Sequence, residues 1–241
     1  MAKIIVIMPA YNAEKTLEKT FQDIPKNLVS EVILGDDCST DRTVEIATSL
    51  DIRVLKTPQN LGYGGNQKML YGEALKIGAD VIIMVHPDWQ YDATKISELI
   101  SPIIKGEKDV MLGSRILTGA GGMPFYKLIS NRFLTFVENL VFKLDLSEYH
   151  TGMRAFGRKV LETIPYQLNS NDFVFDTEVL AEVAAFRFKA GEIPIPCRYF
   201  KEASEINAWR STIYGIQTLL VCGKLVLHKL KIKQFAQFGP R

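Results

Sequence analysis

Short apolar runs alternate with polar, helix-spaced stretches along the first half of the chain. Lys3 to Met8 is a β-type run that stops at Pro9, and Glu14 to Gln22 has the polar character of a surface helix. Glu31 to Leu34 makes a second strand, ending at Gly35-Asp36-Asp37. A helix is expected from Ser39 or Thr40 through Leu50, with Asp41 in its first turn, where a negative charge suits the helix dipole. Ile52 to Leu55, Val81 to Val85 and Val110 to Leu112 read as further strands, with helices over Gln67 to Lys76 and Asp92 to Ile104 between them. Val81 to Val85 is apolar throughout, the pattern of a strand buried on both faces. Strands alternating with helices of this length predict an α/β fold, a mainly parallel central sheet flanked by helices.

Beyond Gly119-Ala120-Gly121-Gly122 the pattern changes. Phe125 to Leu144 is a long helix, shorter irregular elements follow, and Trp209 to Lys231 forms a closing helix. No repeat or low-complexity linker divides the chain. A single domain over 1–241 is expected, with a front half at 1–115 and a back half at 116–241 that carries the C-terminal helix.

Composition narrows the class. With 241 residues, 47% hydrophobic and 23% charged, the chain is long enough to bury a substantial core and is not disordered. A net charge of +2 implies no nucleic-acid partner. Cys38, Cys197 and Cys222 are odd in number and widely spaced, which fits neither a disulfide framework nor a metal site and suits a reducing cytoplasm. The opening MAKIIVIMPAYN lacks a signal-peptide pattern, and no apolar window is long enough to span a membrane.

The candidate chemistry lies just past the strands. In an open α/β sheet, ligands gather outside the carboxyl ends of the strands. Pro9-Ala10-Tyr11-Asn12 follows the first strand, Asp36 to Asp41 the second, and His86-Pro87-Asp88 the fourth, with Gln90 and Asp92 close behind. An imidazole and a carboxylate at i and i+2 can both point at one divalent cation. Adjacent carboxylates at 36 and 37 repel each other; they are either a solvated turn with a helix cap or hydrogen-bond acceptors for a base or ribose. Asn60 to Asn66 is a glycine-rich loop opening a helix, of the kind whose backbone N–H groups can approach phosphates. No Gly-x-Gly-x-x-Gly follows the first strand, which argues against a Rossmann dehydrogenase.

Taken in order, PAYN, DDCSTDRT, NLGYGGNQ, HPDWQYD and the GSR at 113–115 resemble glycosyltransferase family 2, whose members have the GT-A nucleotide-sugar-binding fold. The resemblance is greatest to the dolichol-phosphate mannose synthase and polyprenyl-phosphate glycosyltransferase branch. It continues through Thr151 to Phe156, Phe173 to Glu178 and Glu192 to Ile195.

The resemblance implies an inverting, metal-assisted transfer from a nucleotide-diphosphate sugar. Pro9, Ala10, Tyr11 and Asn12 would border the base, Asp37 would contact base or ribose, and Gly62 and Gly65 would lie along the donor. The family's Asp-x-Asp, which holds Mg²⁺ or Mn²⁺, is here His86-Pro87-Asp88. Three arrangements follow: His86 is a ligand in a Mn²⁺-favouring site, Asp88 and Gln90 alone hold the metal, or His86 donates a hydrogen bond to phosphate or sugar.

The acceptor is a polyprenyl phosphate, which needs cations rather than a base, or a saccharide hydroxyl, which needs a base. Arg115 is the favoured cation by its position in the family motif, ahead of Arg132 and Arg154, with Lys127 and Arg198 also in view. His150 or Asp176 would serve as a base, and His150 could equally be a hydrogen-bonded core histidine. The basic, apolar-rich stretch from Trp209 to Lys233 would cover the sheet, form a homodimer contact or lie peripherally on an anionic membrane surface. A sugar-nucleotide-binding protein that has lost catalysis is the reading of another class, motivated by His86.

Overall fold

The computed structural model describes residues 2–119, 122–198 and 208–239. Seven strands form one sheet: β1 Ile4–Ala10, β2 Glu31–Asp36, β3 Arg53–Lys56, β4 Val81–Val85, β5 Val110–Ser114, β6 Met153–Gly157 and β7 Ala190–Pro194. Their order across the sheet is β3-β2-β1-β4-β6-β5-β7. β1, β2, β3 and β4 run parallel, as do β5 and β7, while β6 lies antiparallel between β4 and β5.

Eight α-helices cover the sheet: α1 Leu17–Asp23, α2 Thr43–Ser49, α3 Tyr63–Lys76, α4 Ile96–Ile104, α5 Phe125–Phe142, α6 Arg158–Thr163, α7 Phe175–Ala185 and α8 Ala208–Lys229. One apolar cluster packs Ile5, Ile7, Ile82 and Met84 against Leu70, Phe175 and Leu180. The other packs Val6, Met8, Ile83 and Val85 against Leu17, Ile96 and Leu99. Alternate residues of β1 and β4 thus feed opposite cores, and all five residues of β4 are buried, as its unbroken apolar run requires.

Several elements depart from the expected pattern: β7, α6 and α7 lie in the stretch expected to be irregular, and α2 starts at Thr43, so Asp41 precedes it and Glu45 is the acid of its first turn. β6 escaped prediction because Met153-Arg154-Ala155-Phe156-Gly157 is short and carries an arginine at its second position. Helix α3 begins at Tyr63 rather than Gln67, with Gly64 and Gly65 inside its first turn. The reason is contact: a Cβ at Gly64 would lie 2.4 Å from the Ser170 carbonyl oxygen and 2.7 Å from Phe175 Cβ.

Because β1, β2 and β4 are parallel neighbours, the loops after them share one edge. β6 runs the other way, with Met153 paired to Val85, so its entry segment His150-Thr151-Gly152 reaches the same edge. Ser114 and Arg115 leave β5 there too.

Helices α5 and α8 pack against each other, and each has two apolar faces. The inner faces, with Leu134, Phe142, Val221 and Leu225, join the core. The outer ones expose Phe125, Ile129, Phe133, Phe136 and Leu140 on α5, and Trp209, Ile213, Ile216, Leu220 and Leu227 on α8. These spacings of three, four or seven residues make a stripe along each helix. No helix among the described residues is long and apolar enough to cross a membrane.

Helix α7 is buried along most of its length and carries Glu182, whose two carboxylate oxygens find no hydrogen-bond partner. Burial pushes this carboxyl up to about 9. A carboxyl raised above its unfolded value of about 4.3 stabilises the fold most at low pH and progressively less as pH rises toward 9. Replacing Glu182 with Gln is expected to raise the melting temperature at pH 8 and to give little gain near pH 4.5, measured by thermal unfolding across pH.

Candidate active site

The shared edge of the sheet opens into a cleft of about 1230 Å³. Pro9, Ala10, Tyr11, Asn12, Asp37, Gly62, His86, Asp88, Gln90, Arg115, His150 and Asp176 all line it. Gly65 does not: a Cβ there would lie 2.8 Å from Leu61 Cβ, so the glycine serves helix packing.

The centre of the site is a buried ion pair. Arg154 on β6 and Asp176 at the start of α7 lie 3.1 Å apart from Nη2 to Oδ2, with Arg154 only 1% exposed. The guanidinium also donates to the carbonyls of Tyr149, Thr151 and Asp176. Asp176 accepts in addition from the Tyr63 hydroxyl at 2.8 Å and from Gln67 Nε2 at 3.1 Å. One carboxylate therefore ties the start of α3 to β6 and α7.

This corrects two expectations. Arg154 lines the cleft but is almost fully buried, and its guanidinium is bonded to a carboxylate and three carbonyls, so its charge is spent largely on the frame. Asp176 is taken up by its arginine and two further donors, so it is not at liberty to serve as a base.

Tyr63 extends the network to His86, with 2.9 Å between its hydroxyl oxygen and Nε2. Burial is the largest influence on His86 and lowers its pKa, so the ring is neutral at neutral pH. The one hydroxyl proton of Tyr63 goes to Asp176, a carboxylate that can only accept. His86 Nε2 must then be the N–H nitrogen, donating to Tyr63, and Nδ1 keeps its lone pair. Nδ1 lies against Gly152, where a Cβ would approach it to 2.8 Å. A neutral ring with this tautomer cannot donate from Nδ1 to a phosphate, which removes the third arrangement considered for His86.

The Asp88 side chain is buried and accepts from the Gln90 backbone N–H through Oδ1 at 3.0 Å. That bond leaves Oδ2 for a ligand in the cleft. No group of three or more His, Cys, Asp or Glu side chains able to hold a metal is present among the described residues. Asp88, His86 and Gln90 all line the cleft and would together offer a mixed oxygen–nitrogen donor set. It suits Mn²⁺ better than Mg²⁺, with the remaining positions left to a diphosphate and water.

The glycine-rich loop does not cradle phosphate as expected. Leu61 and Gly62 give their N–H groups to the Asp37 carboxylate at 2.7 and 3.0 Å, and Gly64 and Gly65 give theirs to the Asn171 carbonyl. Asp37, which also accepts from Thr57, holds this loop at the cleft wall.

Arg115 is clamped by Glu148, which accepts from its backbone N–H at 2.8 Å and from Nε at 2.9 Å, with a further contact through Nη2. Its Nη2 also donates to the His150 carbonyl at 2.6 Å. The arginine lines the cleft, but its charge is matched inside the fold. Arg132 is exposed outside the cleft lining. Arg198 lies over the Trp89 ring and pairs with Asp23. Lys127 and Arg210, from the first turns of α5 and α8, do reach the cleft.

His150 Nδ1 is 2.8 Å from the Tyr214 hydroxyl, while Nε2 lies 3.0 Å from Glu138 Oε2 without a well-formed hydrogen bond. Sequence reasoning missed Tyr63, Gln67, Glu148, Tyr214 and Glu138. Only Tyr63 carried a local signal, standing inside the glycine-rich loop.

Comparison with known proteins follows this geometry. The family model described as Glycosyl transferase family 2 matches residues 5–164. The chain belongs to this family. It is thus a glycosyltransferase with the GT-A fold.

Two curated relatives lie in the polyprenyl-phosphate branch. The UDP-N-acetylglucosamine–dolichyl-phosphate N-acetylglucosaminyltransferase of Methanococcus voltae is 27% identical, over 81% of this chain and 86% of the relative. The dolichyl-phosphate hexose transferase of Haloferax volcanii is 30% identical, over 81% and 82%. Among solved structures, glucosyl-3-phosphoglycerate synthase from Mycobacterium tuberculosis, in complex with Mn²⁺, UDP and glucosyl-3-phosphoglycerate, superposes with a TM-score of 0.72. It is 19% identical, with 92% of this chain and 80% of that chain covered, and it supports the fold.

Replacing Arg154 with Met would strand the Asp176 charge in the interior. Such a loss costs about 3–5 kcal/mol, and chemical denaturation should show it as a lowered midpoint.

Proposed function

We propose that this glycosyltransferase moves a sugar, with inversion, from a nucleotide-diphosphate donor to a polyprenyl phosphate. The observation that carries the acceptor choice is that neither candidate base is at liberty. Asp176 is held by three side-chain donors, and His150 has Nδ1 at the Tyr214 hydroxyl and Nε2 turned to the buried Glu138. A hydroxyl acceptor needs a base in reach, whereas a phosphate is largely ionised at neutral pH and attacks without one. The two dolichyl-phosphate relatives support the same choice.

Asp88, His86 and Gln90 would hold the divalent ion, which when bound neutralises charge on the departing diphosphate. Pro9, Ala10, Tyr11 and Asn12 would border the base. Asp37 acts by fixing the loop beside the donor, and Arg115 by fixing the segment that carries His150. Lys127 and Arg210 stand where α5 and α8 meet the cleft, suitable for the acceptor phosphate.

The lipid tail fits the outer faces of these two helices. Glu138 is the only acidic residue in α5 and is buried, α8 has none, and Arg132, Lys143, Arg210, Lys229, Lys231 and Lys233 are exposed on or after them. An apolar, basic face suits peripheral contact with an anionic bilayer.

Calorimetric titration with UDP, GDP and CDP, with and without Mn²⁺, tests the donor site. One nucleotide is expected to bind in a metal-dependent way, weakened at least about tenfold in Asp88→Ala. Binding indifferent to both the metal and Asp88 would sink the metal-assisted reading. Flotation with vesicles of phosphatidylcholine and phosphatidylglycerol tests the helix face: the wild-type protein should float with them, and a Phe133→Glu, Ile216→Glu double variant should not. A native dimer that the double variant dissociates, without vesicle binding by either, would assign the face to a second copy.

A further inference from the structure

Glu138 on α5 is fully buried, and neither of its carboxylate oxygens has a well-formed hydrogen bond among the described residues. Such a group is costly to enclose. Its nearest cation-capable neighbour is His150 Nε2, 3.0 Å from Oε2. On the far side of the ring, Nδ1 meets the Tyr214 hydroxyl at 2.8 Å, and the Tyr214 oxygen lies 3.2 Å from Thr177 Oγ1, which is 3.4 Å from Thr218 Oγ1. Carboxylate, imidazole and phenol thus form a chain joining α5, the segment before β6 and α8, with α7 at its end.

Only the two inner members, His150 and Tyr214, line the cleft. Burial and the Glu138 charge push the Tyr214 phenol well above its usual range, so it remains a hydroxyl. A carboxylate facing Nε2 makes that nitrogen the N–H, which orients the ring and fixes the edge it shows to Tyr214. Among the described residues no hydrogen-bond partner satisfies the Glu138 carboxylate, and an amide or alkyl group would fill the same space without that charge.

We propose that Glu138 is a positioning residue for the acceptor. It fixes the His150 ring, and the ring in turn holds the Tyr214 hydroxyl at the acceptor end of the cleft. The inference rests on the transferase reading of the cleft and deepens its acceptor side. The same chain couples the seat of α8, with its exposed apolar face, to the entry segment of β6, where His150 also accepts from Arg115 through its carbonyl.

Two measurements test it. The first needs no turnover. The chain has three histidines, so imidazole nitrogen-15 spectra are simple to assign. The wild type should show a slowly exchanging Nε2–H for His150 that is lost or moved in Glu138→Gln, and its absence in the wild type would overturn the proposal. The second uses steady-state kinetics with a nucleotide sugar and a C20 polyprenyl phosphate in detergent micelles. Glu138→Gln and Tyr214→Phe should each raise the acceptor KM about tenfold and leave the donor KM within about twofold. The double variant should be no worse than either single one, because the residues act through one chain. Equal effects on both substrates, or losses that multiply, would reduce Glu138 to a packing residue. Failure of the polyprenyl phosphate as a substrate would count against the proposed acceptor, while the nitrogen-15 result decides the chain on its own.

Discussion

The Arg154–Asp176 pair is the constraint on which the cleft depends. A fully enclosed guanidinium gains only if every donor finds an acceptor, and here three backbone carbonyls and a carboxylate supply them. The carboxylate in turn is the anchor for Tyr63 and Gln67, so the first turn of α3 sits where Asp176 puts it. Tyr63 then fixes the tautomer of His86. A strand that the sheet inserts antiparallel therefore governs, through four side chains, the chemistry of a loop at the end of its neighbour.

The same economy recurs around the cleft. Charges that look available in the sequence are mostly consumed in holding backbone. Asp37 binds the glycine-rich loop, Glu148 binds Arg115, and Asn171 accepts from the glycines that would otherwise face a phosphate. The cleft is also lined by a short donor set at 86–90 and by basic side chains at the mouths of α5 and α8. That division separates a rigid frame from a few groups left for ligands, which is how a site keeps its geometry when a highly charged donor enters.

Much of this was legible in the sequence, and the limits have a physical pattern. The period-2 and apolar runs of β1, β2 and β4 place three loops on one edge, and most of the nominated residues line the cleft, with Gly65, Arg132 and Arg198 outside it. Gly65 failed because a glycine needed for close helix packing looks the same as one needed for a ligand. The partners of Arg154, Arg115 and Asp176 went unseen for another reason: they are distant in sequence, Glu148 lying 33 residues from Arg115 and Tyr63 lying 113 from Asp176. Local pattern reports which face a residue occupies, but not which charge it will meet there. Glu138 is the extreme case, an acid on a helix whose spacing implies an ordinary amphipathic element.

The imidazole at 86 makes electrostatic sense in this frame. Asp88 and Asp176 are the two carboxylates whose fields act most strongly on it. A third carboxylate at 86 would face both in a buried wall, and like charges at that range disfavour ionisation. Asp176, whose carboxylate holds Arg154, Tyr63 and Gln67 together, would then share its surroundings with two like charges. A neutral ring avoids this. It gives a hydrogen bond to Tyr63 through Nε2 and keeps a lone pair on Nδ1, so the replacement preserves an electron-pair donor at the site without loosening the pair beneath it.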